Sequence, residues 1–469
     1  MSKRGWAVSI SLMVVVCSWN WALAQSTPFD LHMALTAAQP DSTIVVPAGR
    51  YTGTFVIDKP LTLIGSDHPI LQGDGSGDVV RIQAKGVSLR GFIIRGSGNS
   101  LDREDAAVRV NASNSLIEEN QVEDALFGIY LANAANSVVR NNLILGKDLP
   151  ISRRGDSLKV WYSANTLIEG NTIRDGRDTV IWFSPNTITR HNVFENNRYG
   201  LHFMSTNNQV IEQNIIRHNS VGIYLMYGTN FQLRQNLLLD NHGPSGYGIG
   251  LKEVNDVTLE GNRIVSNRVG IYIDKSPLLP GSKVNVVTNL FAYNEVGVQL
   301  LPDVHHNEYT RNIFLENNEQ IAISGGGELS ENDWAANGEG NYWSDYAGFD
   351  SNHDQIGELP YQATSLFEDL MEEYPELRIF QLSPATAALD LAAKAFPIFQ
   401  PRAKMSDPHP LTVPPTLPKV PGIPEPPRFE NLLAAGGLLC IGLVVLLGVN
   451  LKKRTKRFVI RNSQLAIGH

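Results

Sequence analysis

Asparagine returns along the middle of this chain at a nearly constant interval, at Asn120, Asn142, Asn171, Asn192, Asn214, Asn236, Asn262, Asn289 and Asn312, each time followed by two mostly apolar residues. From Asn192 onward a second asparagine follows five positions later, at Asn197, Asn219, Asn241, Asn267, Asn294 and Asn317, and a glycine usually comes about three residues after it. A fixed period of roughly twenty to thirty residues is the mark of a solenoid, whose repeats cannot bury an apolar face alone and must stack on their neighbours. Asparagine at a repeated corner tolerates left-handed backbone and can bond its amide to the same amide one rung away. The intervening segments are short, alternating and rich in Val, Ile and Leu, with no helical spacing before about residue 365. The sequence therefore predicts an all-β fold: a right-handed parallel β-helix solenoid with Asn ladders.

Stacking turns matched positions into spatial neighbours. Aligned on Gly200, Gly222, Gly248, Gly270 and Gly297, the next column reads Leu201, Ile223, Ile249, Ile271 and Val298, and two positions on it reads Phe203, Leu225, Leu251, Ile273 and Leu300. Successive strand residues point to opposite sides, so these apolar columns face the core. The columns between them are mixed and face outward: His202, Tyr224, Gly250, Tyr272 and Gln299, then Met204, Met226, Lys252, Asp274 and Leu301. Two methionines and a histidine thus stand together on an outer face. Thioether and imidazole donors select Cu(I) over hard cations, and adjacent rungs lie about 4.8 Å apart, within reach of flexible methionine stems. Without a closed cage, His202, Met204 and Met226 would bind copper weakly and exchangeably. The other reading of this column is a protein-docking patch.

The termini point to export. Residues 1–24 carry a basic start, an apolar stretch and Ala22-Leu23-Ala24, the form of a secretory leader. The run Asn431 to Leu451 is uncharged and long enough for one transmembrane helix, and the KKRTKR that follows (Lys452 to Arg457) places residues 452–469 in the cytoplasm by the positive-inside rule. Residues 406–430 are proline-rich and expected to form an extended stalk, and 346–405 a cap or docking tail with a helical stretch from Ser365. The body is expected over 25–345, its first rungs and N-terminal cap falling before Ala106. Gly73, Gly75 and Gly77 fit a turn, because no helix follows them as a phosphate loop would need. Cys17 leaves with the leader and only Cys440 remains, so no disulfide forms. A net charge of −8 offers no basic field for nucleic acid.

Several segments together carry a family resemblance: GNYWSDYAGFDSNHDQIGELPY (Gly340 to Tyr361), the rungs NRYGLHFM and VGIYLMY, GDSLKVWYS (Gly155 to Ser163), and the tail LSPATAALDLAAKAFPIFQP with DPHPL. From about residue 28 to 412 the chain resembles NosD, the maturation proteins of nitrous oxide reductase. The resemblance implies a periplasmic β-helix that works with the ATPase and permease subunits of an ABC transporter. It also implies copper received from a small lipoprotein chaperone and passed toward the copper centres of the reductase. The C-terminal membrane helix departs from the usual soluble pattern. So does HDQIGE, which stands where the family has an acidic glycine-rich turn near GDGIGD and weakens a calcium reading of Asp350, Asn352 and Asp354.

Other candidates are weaker. His305 and His306 lie in a turn and read as bystanders, as does His353 beside Asp354. The insertion holding Arg153, Arg154 and Asp156 fits a partner-contact loop or a solvated charge cluster. A polysaccharide lyase or epimerase on the same scaffold would need stacked carboxylates and a base on one face. The aligned columns offer only Glu253 and Asp274 beside Lys252. A carbohydrate-binding surface solenoid would leave the methionine column unexplained.

Overall fold

The computed structural model describes residues 29–420, apart from 326–327, 330, 381–382 and 396–402. Over this span the chain is a parallel β-solenoid. A 13-stranded sheet forms one face, each strand pairing with its counterpart one turn on, and a 22-stranded sheet wraps the other two. The wrap is visible where Val221–Arg234 and Tyr247–Glu260 run unbroken round a corner: the former pairs with both Tyr199–Met204 and Gln209–Glu212.

The asparagine ladder fastens one edge of every turn. Each backbone N–H from Asn120 to Asn312 donates to the side-chain oxygen of the next rung's asparagine at 2.9–3.1 Å. Each side-chain amide also donates back to a carbonyl of the preceding turn, as Asn236 does to Ile211 at 2.8 Å. The second ladder, Asn197 to Asn317, repeats the pattern at 2.8–3.0 Å. One expectation is corrected here. The asparagines of these two buried ladders do not adopt left-handed backbone; the residue before each of them does, as at Asn141, His191, Gln213, Gln235 and Thr288. Asparagine is needed for an amide that both donates and accepts in a dry interior, where an unmade bond costs about 1–3 kcal/mol.

The predicted inward columns are the core: Leu201, Phe203, Ile223, Leu225, Ile249, Leu251, Ile271 and Ile273 are all fully buried. The marker glycines have a packing reason. A Cβ on Gly222 would lie 2.5 Å from the Gly248 carbonyl oxygen, so the rungs close here only without side chains. The helix Leu31–Ala37, N-capped by Asp30, covers the first turn through buried Leu31 and Leu35.

At the far end, aromatic stacking seals the core: Trp343 lies on Phe314 at 4.2 Å and on Tyr361 at 4.3 Å. The helices Leu366–Glu373 and Pro384–Ala395 follow, as the tail's spacing predicts. The segment expected to depart as a stalk at Ser406 behaves differently. Ala403–Asp407 pairs antiparallel with Tyr361–Thr364, Leu411 bridges to Tyr342 and Ile356, and Met405, Asp407, Leu411 and Val420 are buried. Asp407 ends the first ladder: its Oδ2 accepts from Asn341 N at 2.8 Å and Trp343 Nε1 at 2.9 Å. Interleaved apolar residues and this carboxylate hold the proline-rich strap to the body through Val420, a pull that proline content alone does not reveal. The leader (1–24), the apolar run 431–451 and the basic tail 452–469 lie outside the described residues. Among the described residues no helix is long and apolar enough to cross a membrane.

Candidate functional site

Strands Tyr199–Met204 and Val221–Arg234 stand side by side in register, with His202 opposite Tyr224 and Met204 opposite Met226. Leu201 and Phe203, fully buried between and beside them, pin the alternation that turns His202 and Met204 outward. His202 Nε2 lies 3.3 Å from Met226 Sδ, a diagonal contact between neighbouring rungs. Met204 sits next to Met226 in the same outward column. His202, Met204 and Met226 are each partly buried, which leaves the group an opening to solvent.

The electrostatics favour a neutral imidazole. Burial pulls His202 below the usual imidazole range; Asp178 opposes this, while Arg198 and Arg177 reinforce it. Asp178 is itself committed, its Oδ1 accepting from Arg198 Nε at 2.9 Å and from Tyr199 N at 3.2 Å. A neutral histidine has a free lone pair at neutral pH, and a soft ion binds to that lone pair rather than to an imidazolium. His202 Nε2 and Met226 Sδ are thus close enough to coordinate one soft ion together, with Met204 the neighbouring thioether in register.

Residues that the sequence reading missed complete this face. The methionine column continues backward through Trp182 and Trp161, which pair in register with Met204 and with each other. At the next position stand Tyr162, Phe183 and Tyr227, all in left-handed backbone, with Tyr162 stacked on Phe183 at 4.8 Å. On the other side of His202, Tyr199, Tyr224, Tyr247 and Tyr272 stack along the solenoid, ending in a 4.5 Å pair. A readable signal existed in Ser163-Ala-Asn165, Ser184-Pro-Asn186 and Thr206-Asn-Asn208, a corner motif that phases the earlier rungs without the marker glycine. Its asparagines form a third, exposed ladder from Asn136 to Asn230 at 2.9–3.0 Å.

Carboxylates also gather on this face, more than the aligned columns promised. Asp156 from the insertion stands near Asp178, and desolvation with that second carboxylate pushes it up to about 7. Lys159 bonds Glu104 and sits 4.9 Å over the Tyr130 ring. Arg153 is exposed, and Arg154 donates to the Leu149 carbonyl at 2.6 Å, closing the insertion on itself. Elsewhere, Lys252 and Asp274 approach to 4.0 Å across rungs, while Glu253 belongs to the left-handed corner. His305 and His306 meet edge to face at 5.7 Å. Asp350 and Asp354 direct their oxygens at the loop's own amides, among them His353 N at 2.7 Å and Ile356 N at 2.8 Å. Among the described residues no three His, Cys, Asp or Glu side chains converge as a metal site.

The chain matches a known family. Residues 142–348 match the family model described as periplasmic copper-binding protein (NosD), and residues 18–236 match a protein family of unknown function, DUF1565. The "Probable ABC transporter binding protein NosD" of Pseudomonas aeruginosa PAO1 is 31% identical over 403 residues, covering 83% of this chain and 92% of that protein. Its namesake in Stutzerimonas stutzeri is 27% identical, covering 84% and 92%. The chain belongs to the NosD family. Among solved structures, the Azotobacter vinelandii mannuronan C-5 epimerase AlgE6 A-module covers 64% of this chain and 92% of its own at a TM-score of 0.50, with 14% identity, a likeness of fold alone.

Proposed function

We propose that this chain is an accessory factor for copper-centre assembly in nitrous oxide reductase, taking copper as Cu(I) and passing it on, with His202, Met204 and Met226 as the exchange site. The observation that carries this reading is the 3.3 Å approach of His202 Nε2 to Met226 Sδ on adjacent rungs of a NosD-family solenoid. Copper here is cargo. Three donors on an open face release an ion more readily than a closed four-ligand site does, as transfer requires. The names of its relatives extend the proposal to an ABC transporter, whose ATPase and permease would be partners alongside a copper-chaperone lipoprotein. The leader and the apolar run 431–451 support export and tethering to the inner membrane by one helix.

Nitrous oxide reductase matured under limiting copper with Met204→Leu/Met226→Leu in place of the wild type tests this reading. Leucine keeps apolar volume, so the fold survives while the thioethers are lost. Copper-deficient reductase is the expected product; fully loaded reductase would mean that the methionine column is only surface. A second reading draws on Asp156, Asp178, Lys159 and His202 sharing one face, the residue types of a polysaccharide lyase or epimerase. Against it, Asp178 is held by Arg198 and Lys159 by Glu104, so two of the four groups are already committed to ion pairs. Chain cleavage or epimerisation of uronate polymers by the purified protein would favour it instead.

A further inference from the structure

The three proposed donors leave one side of the ion unaccounted for, and the rung before them supplies an aromatic ring at that place. Trp182 pairs in register with Met204, as Met204 does with Met226, so indole and the two thioethers occupy three successive slots of one outward column. Neighbouring slots are about 4.8 Å apart, the distance at which an ion held on Met204 meets the next side chain. Trp182 is only partly buried, yet it is braced: its ring stacks on Phe183 at 5.3 Å, and Phe183 stacks on Tyr162 at 4.8 Å. Phe183 stacks on one face of the ring, and among the described residues no second aromatic ring stacks on the other. Phe183 and Tyr162 occupy the same left-handed corner on successive rungs, which sets their rings one above the other.

We propose that Trp182 is the lid of the soft-metal site, placing its π face over a monovalent ion held by His202, Met204 and Met226. This rests on the ligand set proposed above. An indole face attracts a cation through its quadrupole but offers no lone pair. The ion thus keeps a three-donor environment that suits Cu(I), while the fourth nitrogen or oxygen that tetragonal Cu(II) seeks is withheld. The ring also occupies space through which water would reach the ion. Trp182 is in this sense a specificity-determining residue: it selects oxidation state, and the three donors bind.

Silver(I), a redox-inert ion of the same charge and softness, tests the lid on the full-length chain in detergent. Trp334 and Trp343 are buried in the cap, so ion-dependent emission among the described tryptophans comes from Trp161 and Trp182. Silver should quench wild-type and Trp161→Phe emission but leave Trp182→Phe unchanged. By chelator competition, Trp182→Leu should bind silver roughly threefold to thirtyfold more weakly, with Trp182→Phe between it and wild type. The preference for Cu(I) over Cu(II) should fall in the same order. If silver binds the wild type, is lost in Met226→Leu, and yet binds Trp182→Leu with unchanged affinity, the lid is refuted and the ligand set stands. If the wild type binds no silver, the ligand set fails and the lid with it. Far-UV circular dichroism identifies a misfolded variant, and the ring-retaining Trp182→Phe then decides the question.

Discussion

Replacing Asp407 by alanine tests whether the strap is part of the solenoid or a passenger on it. The Asp407 carboxylate is fully buried and accepts from Asn341 N at 2.8 Å, Trp343 Nε1 at 2.9 Å and His409 N at 3.0 Å. His409 N is near solvent and can rehydrate, but Asn341 N and Trp343 Nε1 cannot. Two buried donors left unpaired cost about 1–3 kcal/mol each, so Asp407→Ala should destabilise the C-terminal turns by roughly 2–6 kcal/mol. Solenoid stability is a sum of neighbour terms, so the loss should stay local. Hydrogen exchange is the assay. Amides of Ile313–Leu315 and Glu319–Ile323 should lose protection while those of Tyr199–Met204 keep it. Equal protection throughout would refute the role of Asp407 as ladder terminus. Acidity gives a second signature, since burial raises Asp407 above its ordinary 3.8 despite the hydrogen bonds that oppose it. Between that raised value and 3.8 the folded state binds a proton that the unfolded chain does not, so this contribution should grow as pH falls through the window. Asp407→Asn should abolish the slope.

Leu225→Ala should cost about 2–5 kcal/mol in denaturant unfolding, as a truncation in a fully buried column. Silver affinity should begin to weaken at a lower pH than the ordinary imidazole value of 6.5 would set, because burial lowers the His202 pKa and protons compete late. An affinity already falling at pH 7 would contradict this. Ending the chain at Pro421 should leave a folded body, whereas ending it at Gln400 removes Met405, Asp407 and Leu411 and should expose Trp343, read as a red shift in its emission. A reporter fused after Arg457 should be active only if it functions in the cytoplasm; periplasmic activity there would overturn the single-span topology.

The solenoid was legible because its constraints are local and repeated: an asparagine every turn, a glycine where rungs touch, and an alternation that put Leu201 and Phe203 inside. The same alternation put His202, Met204 and Met226 on one outward face of adjacent rungs, whereas the 3.3 Å contact of His202 Nε2 with Met226 Sδ depends on side-chain conformation and is seen only in the structure. What escaped lay where the period breaks. Trp161 and Trp182 sit on rungs without the marker glycine, and Asp178 faces His202 only through a register shift between Asp178 and Val180. The strap was missed for a different reason. Its attachment depends on partners 64 and 66 residues away, Trp343 and Asn341, and no local pattern in a proline-rich segment announces them.

The rung-by-rung pairing of the outward column has a consequence for how such a protein changes over time. Arg109, Tyr130, Lys159, Val180, His202, Tyr224, Gly250 and Tyr272 follow one another as single notches on a ruler graduated by the rung spacing. Duplicating or deleting a whole turn between His202 and the strap would slide the proposed copper site by about 4.8 Å relative to the C-terminal end, with its own contacts intact. The distance from that face to the C-terminal end is thus adjustable in whole steps, independently of the side chains on the face.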